Sequence, residues 1–108
     1  MSESALEIGP PEHLTSKAVA RRVRAKALAR VGRGPEAEAA AAEAIALLEG
    51  TDVLNELGET FVAAAEVHAL AGQPANAHAD WERALAYFEQ KGNVVSAARV
   101  REAAAPVS

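Results

Sequence analysis

Gly72–Gly92, GQPANAHADWERALAYFEQKG, is the stretch whose reading decides the fold, because the segment forty residues upstream repeats it. Aligned without a gap, Gly72, Ala77, Trp81, Ala84, Leu85 and Phe88 fall on Gly32, Ala37, Ala41, Ala44, Ile45 and Leu48. Both segments place small and apolar residues at i, i+4, i+7, i+8 and i+11, one face of a 3.6-residue helix. Recurrence at a fixed offset is the mark of stacked helical units.

Composition points the same way. Alanine dominates, and the aromatic residues are Phe61, Trp81, Tyr87 and Phe88, which favours helices approaching through small side chains over a sheet. Without cysteine there is no disulfide, thiolate chemistry or cysteine zinc site. No apolar run approaches the roughly 20 residues of a membrane span, and the opening MSESALEIGPP is acidic where a secretory signal is basic, so a cytoplasmic protein is expected.

The net charge of −4 is unevenly distributed. From His13 to Arg33 the charged residues are Lys17, Arg21, Arg22, Arg24, Lys26, Arg30 and Arg33, all cationic. From Gly34 to Gln90 the acids include Glu36, Glu38, Glu43, Glu56, Glu59, Glu66, Asp80 and Glu82, against Arg83 alone. The acidic remainder repels a phosphate backbone, and no aromatic residue interleaves the cations, which argues against nucleic acid.

Taken in order, residues 1–11 read as a disordered lead and 106–108 as a tail, enclosing one domain over 12–105. A first helix starts between Glu12 and Ser16, with Thr15 or Ser16 as cap, and runs to Val31 before Gly32-Arg33-Gly34-Pro35 breaks it. A second runs from Pro35 to Leu48 or Glu49, and Gly50-Thr51-Asp52 supplies a stop and a cap. The third covers Val53 to Ala71, with Leu54, Leu57, Phe61, Ala64, Ala65 and His68 as its core line. The fourth covers Ala75 to about Gln90. Lys91-Gly92-Asn93 repeats the stop-and-cap chemistry, and a fifth helix spans Val94 to Ala105. Short turns make these antiparallel neighbours: hairpins over 12–49 and 53–90, and a closing helix over 93–105. The expected fold is all-α, a right-handed stack of about five helices in antiparallel hairpins.

The second hairpin resembles a tetratricopeptide repeat through Phe61, Ala65, Gly72, Ala77, Trp81, Ala84 and Leu85. The first agrees at Ala25, Leu28, Gly32, Ala37 and Ala44, but has Arg21 and Arg24 at apolar positions and Ala41 for an aromatic. The period exceeds the 34 residues of the standard repeat by about a turn and a half. With VRAKALARVGR, AEVHALAGQP and YFEQKGNVVSAARVR, residues 20–104 are similar to the C-terminal repeat region of large ATPase and nucleotide-cyclase-like transcriptional regulators of high-GC bacteria. The resemblance implies a groove lined by Val19, Arg22, Lys26, Ala29 and Arg30, then by Glu59, Val62, Glu66, Ala69 and Leu70. A carboxylate clamp known in the family would fall on Arg22, Lys26, Ala63, Arg99 and Ala103. Both of its asparagines are missing, so that clamp is not expected here.

A non-catalytic module that binds a protein or peptide is the function these features favour. The alternatives are a regulatory or sensor segment of an ATPase-type transcriptional regulator and a self-association module. Arg22, Lys26 and Arg30 are spaced by four, forming one cationic wall, with Glu59, Val62, Glu66 and Ala69 as the facing wall. An equally simple reading is that these charges pair with one another. The first helix carries extra apolar circumference at Val19, Val23, Ala27 and Val31, which a second copy would cover through a two-fold contact. Trp81 is expected to anchor the second hairpin against Phe61, Ala65 and the fifth helix.

Chemistry finds little support in the residues. His68, His78 and Asp80 are a metal-ligand set in kind, yet His68 lies on a core line while His78 and Asp80 fall off the Trp81 face, toward water. Glu59 and Glu66 lie about 10 Å apart along one helix without a nucleophile beside them. No catalytic residue, metal ligand or cofactor is assigned.

Overall fold

A computed structural model describes residues 11–104. The expected lead and tail fall on residues 1–10 and 105–108, outside the described residues, and Pro11 is already helical. Five helices follow in order: α1 (Pro11–Arg30), α2 (Gly34–Leu48), α3 (Leu54–Leu70), α4 (Pro74–Lys91) and α5 (Val94–Ala104). No strand occurs among the described residues. The principal extents of 56 × 33 × 17 Å describe a slab that is thin in one direction.

Glycine and proline set the boundaries. Gly32 and Gly72 both take a left-handed conformation, φ +84° and +77°. At each, the following residue donates back across the turn, Arg33 N–H to the Leu28 carbonyl and Gln73 N–H to the His68 carbonyl, both at 2.9 Å. A side chain strains that conformation, and the six-to-one bond satisfies a carbonyl the ending helix leaves open. Proline then occupies the first turn of α2 and of α4, where its missing N–H costs nothing.

Two expected caps are not used. α1 begins at Pro11, so Thr15 and Ser16 lie inside it, because a proline suits the first turn better than the residues behind it. At α3 the cap position is Val53, without a side-chain bond. The Thr51 hydroxyl donates to the Leu48 carbonyl at 2.5 Å, closing α2, and accepts only a long bond of 3.5 Å from Val53 N–H ahead of α3. Asn93 does cap α5, its Oδ1 accepting from Ser96 N–H at 3.1 Å.

Packing follows the forty-residue offset. Ala37 and Ala77, Ala44 and Ala84, and Leu48 and Phe88 are buried at equivalent positions. Twelve of the eighteen buried hydrophobic residues described are alanine, so helix backbones approach closely and few side chains supply volume. Phe61, Phe88, Ala97 and Val100 form one cluster, and Leu48 and Leu57 belong to a second. Tyr87 packs against both, stacked on Phe61 with ring centroids 5.8 Å apart.

The anchor of the second hairpin is Phe88 rather than Trp81. Phe88 is fully buried, whereas Trp81 is half-buried at the edge of the same cluster. Trp81 aligns with Ala41, which is buried, so the larger side chain at that position extends beyond the core.

Phe88 fits because α3 offers it a gap. A Cβ at Gly58 would lie 2.6 Å from Phe88 Cε1 and Cζ. In an unconstrained helix Gly→Ala stabilises by about 1 kcal/mol, whereas overpacking a core costs about 1–3 kcal/mol. Gly58→Ala is therefore expected to lower stability in urea denaturation. Phe88→Leu should cost less in the Gly58→Ala background than alone, since the two share one contact. A stabilising Gly58→Ala would contradict this packing.

Candidate functional site

α1 and α3 lie side by side, bringing the two sequence-predicted walls together. Helical spacing puts Arg22, Lys26 and Arg30 on one line, but the structure gives these three cations different surroundings. Arg22 Nη1 lies 2.9 Å from Glu56 Oε1 and donates to Thr60 Oγ1 at 3.3 Å. Thr60 is fully buried, its hydroxyl donating to the Glu56 carbonyl at 2.8 Å, and the Arg22 side chain is only 17% exposed. Arg22 is thus a tie between helices. Reversing its charge would set a carboxylate against Glu56 and remove one of the two hydrogen bonds of the Thr60 hydroxyl, so such a change destabilises the fold.

Lys26 meets Glu66 at 3.3 Å with both side chains substantially exposed, a pair worth about 0–1 kcal/mol. Glu59 faces the other way, accepting from Arg99 of α5 at 2.8 Å. Arg30 is exposed and has no ion-pair partner among the described residues. Pairing across the helices therefore consumes the Arg22 and Glu59 end of the expected groove and leaves the Arg30 end open.

At that open end lies a cleft of about 380 Å³ lined by Lys26, Arg30, Glu66, Val67, Ala69, Leu70 and Trp81. It collects five of the expected groove residues: Lys26, Arg30, Glu66, Ala69 and Leu70. Arg22, Glu59 and Val62 lie outside it, Val62 packing against the Phe61 and Phe88 cluster. Leu70 is 61% exposed on this cleft. Trp81 is the lining residue the linear reading placed in the core alone. Its alignment with a buried alanine is the signal that its ring would exceed the core.

The residues expected to contact a second copy are also on the surface. Val23 is 60% and Val31 71% exposed, Ala27 is exposed, and Val19 is half-buried.

The histidines separate into two pairs. His68 Nδ1 lies 2.5 Å from Asp80 Oδ2, joining α3 to α4. His78 and Glu82 form an exposed pair on α4 at 3.2 Å. Asp80 thus turns inward, against the expectation that it faces water, because α4 meets α3 on the flank that carries it. No group of three metal-ligating side chains gathers among the described residues.

Burial pushes the Asp80 carboxyl above its ordinary value of 3.8, a shift that the hydrogen bond and charge of His68 partly oppose. The folded chain therefore holds this proton at higher pH than the unfolded chain does. Stability contributed through Asp80 is present below 3.8 and is lost as pH rises through the folded value. A titration of the Asp80 carboxyl carbon by NMR should give a midpoint above 3.8, and a midpoint at or below it would contradict this burial.

No family model matches the chain, and neither a curated protein nor a solved structure matches it.

Proposed function

We propose that the chain is a non-catalytic interaction module that binds a polypeptide segment in the cleft between α1, α3 and α4. The observation that carries this reading is the open apolar wall of Leu70 and Trp81, backed by buried Val67, beside Arg30, which has no ion-pair partner among the described residues. An apolar wall next to a free cation suits a segment that presents an apolar side chain with a carboxylate close to it. The apolar contact supplies affinity, and the charge supplies orientation. Because Glu66 is held by Lys26 and Glu59 by Arg99, acidic recognition elements are largely occupied within the chain. A predominantly acidic segment therefore fits better than one of mixed charge.

A photo-crosslinking residue placed at Leu70 tests this in the native cell. It should yield polypeptide adducts that disappear with Arg30→Glu and fade with added salt in extract. The same residue at exposed Ala86 is the control. Adducts that are equal at both positions, or indifferent to Arg30→Glu, would move the binding surface elsewhere.

A further inference from the structure

Among the described residues nothing covers the outer face of α1 or the outer flank of α4 and α5, and the chemistry of the two is complementary. The exposed face of α1 carries Ala20, Val23 and Ala27, continued by Val31 just past its end, with Lys17, Arg24 and Arg30 around them. None of those three cations has an ion-pair partner among the described residues. The face is apolar along its middle and positive at its borders.

At the opposite end, α4 and α5 are joined by a tight turn at Gly92 and Asn93 and leave a furrow on their outer flank. Two hollows of about 230 and 140 Å³ meet there at Arg101. Trp81, Leu85, Val100 and Ala104 line the first, and Val94 and Ala97 belong to the second. Val94 and Val95 are 75% and 77% exposed. The furrow's acids are Glu82, which touches only His78, and Glu89, which is held by Arg101. Glu102 on α5 has no ion-pair partner among the described residues. α4 and α5 as a whole are balanced in charge, but the furrow's own lining sets Glu82 and Glu89 against Arg101 and is net negative.

A groove between two packed helices receives the ridge of a third, which makes an apolar helix face with cationic borders the matching shape and charge. We infer that this chain associates head to tail, the outer face of α1 in one copy docking into the α4–α5 furrow of the next. A two-fold contact between α1 helices would bury the same valines. It would also set Lys17, Arg24 and Arg30 of one copy against the same three cations of the other. The heterologous contact removes that repulsion and repeats from copy to copy as a ring or an open row. This inference rests on the end faces; they share Arg30 and Trp81 with the peptide cleft, and crosslinks at positions 27 and 98 read it separately from adducts at Leu70.

The absence of cysteine makes the geometry directly readable. Ala27→Cys marks the α1 face, Ala98→Cys the exposed side of α5 beside the furrow-lining Ala97, and Ala86→Cys an exposed control position. Treated with a short bifunctional maleimide, an equimolar mixture of the Ala27→Cys and Ala98→Cys chains should give a mixed dimer several-fold above any pairing with Ala86→Cys. Either chain alone should give no more product than the control. Sedimentation of the wild-type chain should show mass rising with concentration and falling with added salt. Homodimer from Ala27→Cys alone would overturn the inference in favour of the two-fold contact. A mixture no better than the control, with wild type monomeric throughout, would overturn it in favour of a different occupant for both faces.

Discussion

Everything in this molecule depends on how an alanine-rich chain fills its interior. Alanine lets helices approach closely but supplies little apolar area, so the few large side chains must be placed without waste. Phe88 is the clearest case. Its ring occupies the space where Gly58 lacks a Cβ, locking α4 to α3 at the centre of the row. From that contact the cluster extends through Phe61 and Tyr87 toward α2, and through Ala97 and Val100 into α5.

The same scarcity of apolar volume gives charged residues a structural share. Arg22 reaches across α1 and α3 to Glu56 and the buried Thr60, and Asp80 meets His68 where α4 joins α3. These polar ties sit between helices that have few large side chains to exclude water. On the exposed surface the pairs are weaker, as with Lys26 and Glu66 or Arg83 and Glu49. The surface is thereby sorted into regions that satisfy their own charges and regions that do not. The α1 face and the cleft beside Arg30 belong to the second kind.

Helix order and most boundaries were legible in the sequence because glycine and proline act locally: Gly32, Pro35, Gly72, Pro74 and Gly92 do in the structure what their conformational preferences dictate. The line Lys26, Arg30, Glu66 and Ala69 was legible too, since helical spacing alone places it. What periodicity does not reveal is which neighbour a flank meets. Asp80 lies off the apolar stripe of α4 and still turns inward, because α3 supplies His68 on that side. Arg22 shares a line with Arg30, yet only Arg22 lies opposite a buried threonine and a glutamate. Trp81 lies on the repeated apolar stripe of α4, and stripe position alone assigns it to the core. Its aligned partner Ala41 shows that the core there accommodates only a small residue.

The central claim is that one line of cations divides into a structural member and a free one, and urea denaturation of Arg22→Ala beside Arg30→Ala tests it most directly. Arg22→Ala leaves the Glu56 carboxylate without its partner and takes from Thr60 one of its two hydrogen bonds, and should cost about 1–3 kcal/mol. Arg30→Ala removes an exposed side chain and should stay within about 0.5 kcal/mol of wild type. Equal losses, or a larger loss at Arg30, would contradict the division on which the open cleft depends.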